Sequence, residues 1–337
     1  MGSIKVFFRI TFLIVLSIQY ISAQNLLFKH YGLEEGLPQE TIYCIEKDNK
    51  GFFWFGTADG VVRFDGHQFV IPQPDLSSKI DVSGYRIEAL LAKNNLIYIG
   101  TTQNGVVAFN TENETLTQIL NADAQCSSII SKNELVLVTY HNKGVAVVSG
   151  GKAKYLSFNI DTPKQIVSAA FYHNFVYIAT KEGAIFKFDL NNIDKNTVYL
   201  QEVTMASSQI TKLKVIDNSL FVCTTNNIFR LNANKKVLNE IKLLYQGKTD
   251  LTYHFNTLES AYGIYYLASN NGLFTAKLNG DKFEVVKHYE ANHRNDQNTV
   301  SFNNTNDLYI DDDILLIGNF NLEIASIKKS KVFENPT

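Results

Sequence analysis

The stretch Gly51–Gly66, GFFWFGTADGVVRFDG, decides the fold, because the chain restates its pattern until seven copies are present. It reads as an apolar strand, a short polar turn ending in glycine, and a second apolar strand. That is the grammar of a β-hairpin, since Gly and Asn tolerate positive φ at the turn. The further copies are Leu96–Phe109 (LIYIGTTQNGVVAF), Leu135–Val148 (LVLVTYHNKGVAVV), Phe175–Phe188 (FVYIATKEGAIFKF), Leu220–Leu231 (LFVCTTNNIFRL), Ile264–Lys277 (IYYLASNNGLFTAK) and a decayed Ile314–Ile327 (ILLIGNFNLEIASI). Aligned on Gly60, Gly105, Gly144, Gly183, Asn227, Gly272 and Asn321, they recur at intervals of 45, 39, 39, 44, 45 and 49 residues.

Another apolar run precedes each hairpin, such as Thr41–Ile45 or Gln165–Phe171, and a shorter one follows, such as Gln68–Ile71. Four strands per roughly 44 residues is the arithmetic of a β-propeller blade. A helical solenoid of similar period is excluded, because its apolar residues would fall three and four apart. Here the runs are short, continuous and rich in Val, Ile, Phe and Tyr. The expected fold is therefore all-β, a seven-bladed propeller of four-stranded blades over residues 24–337.

The segment Asn25–Tyr31 lies upstream of the first inner strand and is similar to Phe283–Tyr289, which occupies an outer-strand slot. We expect it to supply the outermost strand of the last blade and so close the ring. Lys331–Phe333 competes for that slot. Residues 1–23 have the layout of a cleavable secretory signal: basic Lys5 and Arg9, an apolar run from Ile10 to Ile18, and a polar stretch ending at Ala23. The apolar run is about half the roughly 20 residues a membrane-spanning helix needs, and no later run is long enough. The expected location is periplasmic or secreted.

With 31 Lys+Arg against 33 Asp+Glu, the net charge of −2 offers no attraction to nucleic acid. At 45% hydrophobic and 12% aromatic residues the chain is too apolar to be disordered. Cys44, Cys126 and Cys223 are too few for a disulfide framework and form no CxxC pair; they read as buried thiols. The seven histidines form no HxH or HExxH pattern, and Asp311–Asp313 lacks the spacing of a calcium loop, so no metal or other cofactor is expected. There is no GxSxG and no phosphate-cradling glycine loop. Trp54, inside an apolar second strand, is expected to pack between sheets rather than stack on a ligand.

The wording of the first unit carries a resemblance. Gly36-Leu37-Pro38, then Asp48, Gly51 and Trp54, then Gly56-Thr57, Gly60, Arg63 and Gly66 resembles the two-component regulator propeller repeat. The resemblance is specific over residues 26–70 and looser over the other six units. It implies the extracytoplasmic sensor part of hybrid histidine kinases of Gram-negative bacteria, many of which respond to carbohydrate fragments. Such receptors continue into a second propeller, a transmembrane helix and a kinase, none of which is read in this sequence.

In a propeller, the start of each inner strand and the turn between the second and third strands share one face, around the mouth of the central channel. The residues expected there are Gln39, Glu40, Arg86, Gln125, Lys164, Gln165, Gln209, His254 and Asn298. They are rich in amides, which offer donors and acceptors to sugar hydroxyls. The expected function is a periplasmic ligand-sensing propeller without kinase activity of its own, taking a small polar ligand such as a saccharide or contacting a membrane receptor or kinase. Two alternatives stay open: a protein-interaction scaffold with an inert channel, and a glycan-active enzyme dependent on Glu40, Arg86 or His254.

Overall fold

In the computed structural model, residues 25–39, 41–73, 80–121, 123–150, 152–249, 251–291 and 296–327 are described. The leader with its cleavage point, Glu40 and Lys331–Phe333 lie outside them. The described chain forms 28 strands, four to each of seven blades, and one short 3-10 turn at Leu190–Asn192. Blade one runs Ile42–Lys47, Phe53–Thr57, Gly60–Phe64 and Phe69–Val70 from axis to rim, each strand antiparallel to the last. The seven inner strands contact one another in cyclic order, and that of blade seven (Asp307–Asp311) packs against that of blade one. The ring is closed.

Closure uses both ends of the described chain. Phe28–Tyr31 pairs antiparallel with Leu322–Ser326 and is the outer strand of blade seven, as the similarity to Phe283–Tyr289 predicts. Phe28 lies edge-on to Tyr289 with ring centroids 5.2 Å apart, and the Tyr289 hydroxyl accepts the Leu26 N–H at 2.9 Å. Within this clasp His30 sits opposite Glu323, whose side chain is fully buried. Glu323 also accepts from Asn319 Nδ2 at 3.0 Å and from the Ser301 N–H.

The second strands are buried along almost their whole length, because each blade is sandwiched between two neighbours, so the core is a set of blade-to-blade layers, not a single centre. Trp54 is fully buried between blades one and two, tilted against Phe109 at 5.5 Å. Its indole N–H donates to Asp48 Oδ2 at 2.8 Å, and Asp48 Oδ1 accepts the N–H groups of Lys50 and Phe52, each at 2.9 Å. One buried carboxylate thus fixes both the turn and the tryptophan. The second strand carries a small residue where the inner strands pack. A Cβ built on Gly56 would stand 2.4 Å from Cys44 Sγ, and one on Gly100 would stand 2.6 Å from Cys126 Sγ.

The turns between second and third strands follow two geometries. Gly272 adopts φ 92°, and a side chain there would strike the Tyr289 carbonyl at 2.1 Å, so glycine is required. Asn227 and Asn321 stand at the equivalent positions without left-handed backbone, which corrects the expectation of positive φ at both. There the paired ladder ends at Cys223↔Ile228 and Gly318↔Leu322. Side chains hold these loops: Thr224 Oγ1 accepts the Asn227 N–H at 2.9 Å, and Asn319 Oδ1 accepts that of Asn321.

Two further features were not foreseen. The outer strands of blades five and six, Val237–Leu244 and Lys282–Tyr289, pair in parallel and merge two blades into one sheet. The inner strands of blades one to six each break register just after their first paired residue, at 42/44, 87/89, 126/128, 166/168, 210/212 and 255/257.

Candidate functional site at the channel mouth

Those register breaks shape the site. A β-bulge leaves one residue outside the ladder and re-aims its side chain. Glu88, Ser127, Val167 and Thr211 are the extra residues of blades two to five, and all four line a depression of about 470 Å³ at the channel mouth. Around them stand residues that precede the inner strands, Arg86, Gln125, Gln209 and His254, and residues from the turns, His141, Lys181 and Thr225. Backbone bonds repeated from blade to blade tie the two sets together. The carbonyls of Arg86, Gln125, Gln209 and His254 accept the N–H groups of Thr102, His141, Thr225 and Asn270 at 2.9–3.1 Å.

Four of the nine residues expected at the mouth are therefore brought together: Arg86, Gln125, Gln209 and His254. Gln165 holds the equivalent backbone place, its carbonyl accepting the Lys181 N–H at 2.8 Å, but it has φ 52° and its side chain is not in the lining. Lys164 is one residue further out and exposed. Gln39 lies upstream of the inner strand of blade one, beyond the lining. Glu40 falls outside the described residues. Asn298 is a correction: Val300 packs into the clasp core outside any strand, and the inner strand of blade seven begins only at Asp307. The side chain at the corresponding position is that of Asn306, which donates to the Ile42 carbonyl at 2.8 Å.

Electrostatically the mouth is mixed but organised. Arg86 bridges Glu88 at 2.7 Å and lies 4.1 Å from the centre of the Tyr43 ring, while Gln125 Nε2 donates to Glu88 at 3.0 Å. Burial raises the Glu88 carboxyl against the pull of Arg86. Burial, with Lys181 and Arg86 adding, holds His141 below its ordinary value, and burial does the same to His254. On the same face Phe302 and Phe320 form an exposed ring pair, centroids 5.2 Å apart.

Beneath the mouth, a cavity of about 230 Å³ in the channel is lined by Glu46, Lys212, Lys214, Glu259 and Asp307 among others. Lys214 and Glu259 are ion-paired, and Asp307 accepts the Ile45 N–H at 3.0 Å. Burial pushes the Glu46 carboxyl up to about 7, with Asp307 adding to the effect. A further cleft of about 360 Å³ opens on the flank between blades one and two, lined by Ile71, Pro72, Val82 and Phe109 among others, away from the axis.

Among the described residues no group of three or more His, Cys, Asp or Glu is placed to hold a metal. The grouping closest to a hydrolytic relay is Ser301, His30 and Glu323. Ser301 Oγ and Glu323 Oε1 approach the same ring nitrogen of His30, at 2.8 and 3.7 Å. A relay needs the serine on one nitrogen and the acid on the other, so this is a structural contact.

Comparison with known proteins ties the first blade to a family. Residues 36–59 match the model of the two component regulator propeller. The chain carries a two-component regulator propeller repeat. A curated relative, Histidine kinase P4 of Formosa agariphila, is 45% identical over 47 residues, 14% of this chain and 3% of its own. Among solved structures, the extracellular domain of a hybrid two component system from B. thetaiotaomicron superposes with a TM-score of 0.75 at 18% identity, covering 90% of this chain and 42% of its own. A second such domain from the same organism gives a TM-score of 0.73 at 16% identity, covering 90% of this chain and 40% of its own. The chain thus spans less than half the length of these two structures, and its likeness to them is one of fold. In structural terms the repeat's Asp48, Gly51 and Trp54 are the carboxylate, turn and indole that anchor blade one to blade two.

Proposed function

We propose that the chain is an extracytoplasmic ligand-sensing propeller of a two-component-type signalling system, recognising a small polar ligand such as a saccharide at the channel mouth. Its residues 1–23 act as a cleaved leader, and it signals through a receptor or kinase and has no catalytic activity of its own. The observation that carries this reading is the convergence of two amides, three hydroxyls, two imidazoles and three charged side chains from five consecutive blades on one depression. Sugar hydroxyls need donors and acceptors in this kind of mixture, and a site assembled from several blades can be altered by what fills it.

Among the described residues no helix is long and apolar enough to cross a membrane. Calorimetry and thermal shift of residues 24–337 against fractionated oligosaccharides test the proposal. It predicts saturable heat with at least one fraction; no heat and no shift across all fractions would contradict direct sensing. The exposed Phe302–Phe320 pair favours a second reading, a protein contact on the same face. That reading predicts capture of a periplasmic partner that Phe302→Ser abolishes and replacements at Gln125 or Gln209 leave unchanged.

A further inference from the structure

The mouth and the channel below it differ in charge, and the difference bears on which ligand fits. The depression presents Arg86, Lys181, His141 and His254 against one carboxylate, Glu88. That carboxylate is already engaged by Arg86 and Gln125. Lys181 is exposed, and among the described residues no carboxylate lies within ion-pairing distance of it. It stands beside His141 across the seam of blades three and four, where the His141 carbonyl accepts the Ile166 N–H and the Gln165 carbonyl accepts that of Lys181. Deeper in the channel, where Glu88 also reaches, Glu46, Glu259 and Asp307 face Lys212 and Lys214. The rim thus offers an anion a lysine unpaired among the described residues, whereas the lysines further in already face carboxyl groups.

We propose that the mouth takes an acidic saccharide, its carboxylate or sulfate seated against Lys181 and His141 and its hydroxyls on the amides of Gln125 and Gln209. This rests on the ligand-sensing reading and narrows it to a chemical class. A bound anion favours the protonated form of His141, which burial, Lys181 and Arg86 disfavour. Binding therefore takes up a proton, and affinity rises as pH falls toward the ordinary imidazole value of about 6.5. The groups facing His141 that set this response are Arg86, Lys181, Glu88 and His254.

The test titrates residues 24–337 with short oligogalacturonates and sulfated galactan fragments, each beside its methyl-esterified or desulfated counterpart, with inorganic sulfate as a separate arm. The expected result is binding of an acidic oligomer at least about tenfold tighter than its neutral counterpart, weakened about tenfold by Lys181→Gln and by added salt. Lys235→Gln, at the outer turn of blade five, leaves it unchanged. His141→Gln reduces the pH slope.

Equal affinity for charged and neutral counterparts, or binding of neutral oligomers alone, overturns the acidic class while the sensing reading stands. No binding of any oligomer overturns both. Inorganic sulfate binding as tightly as the oligomers overturns recognition of a saccharide. Wild-type thermal stability in Lys181→Gln separates a lost contact from a lost fold.

Discussion

At the residue scale, a few side chains do work that their hydropathy does not announce. Asp48 is a buried carboxylate whose oxygens accept two backbone N–H groups and the Trp54 indole. Asp48→Ala strands three donors in a buried turn, and urea unfolding is expected to show a loss of about 3 kcal/mol. Asp48→Asn, which keeps one acceptor oxygen, should lose less. Gly100 depends on absence: adding a methyl drives it into Cys126 Sγ. Gly100→Ala should cost about 1–3 kcal/mol, and Cys126→Ala in the same chain should recover part of it. Purely additive losses would show that the two residues do not share the space. The sequence made Trp54 legible as packing and Cys126 legible as buried. It left hidden that Asp48 serves Trp54, because a hydrogen bond across a turn leaves no periodic trace.

The elements differ in how far their sequence exposes them. Each hairpin could be read from its own apolar runs and turn, and the N-terminal strand of blade seven from its likeness to Phe283–Tyr289. The bulges could not, because each shifts the alternation by one residue at the very start of a strand, where too few residues precede the break to define a phase. That is why Glu88, Ser127 and Thr211, which the bulges turn into the mouth, were missed.

The clasp carries a pH dependence of its own. Hydrogen bonding to Glu323 raises the His30 imidazole above its ordinary value, against the opposing effect of burial. Protonated His30 therefore stabilises the clasp fully below the unfolded-state value of about 6.5, and that stability is lost as pH rises through the higher folded-state value. His141, His254 and His288 are held low chiefly by burial, so their contribution falls away on the acid side of the same point. Between about pH 6.5 and about 8 the urea midpoint of the wild type should fall relative to that of His30→Gln. Parallel curves over that window would remove the ion pair from the account.

For the whole molecule, closure matters more than any blade. Seven inner strands in cyclic contact close the ring around the channel, and the N-terminal strand pairs with the third strand of the last blade as its outermost strand. The ring gathers on its axis residues that lie far apart in sequence, from Arg86 to His254, and the repeat length predicted that convergence before any contact was known. What the repeat could not supply is the charge plan along the axis, cationic at the rim and acidic below, since it depends on which side chain each bulge turns inward. The central claim is that this mouth is where the ligand binds. A calorimetric titration of wild type and the double replacement Gln125→Ala, Gln209→Ala, with an oligosaccharide that gives heat with the wild type, tests it most directly. The account predicts affinity at least about tenfold weaker in the replaced protein at unchanged thermal stability; identical isotherms for the two proteins would contradict it.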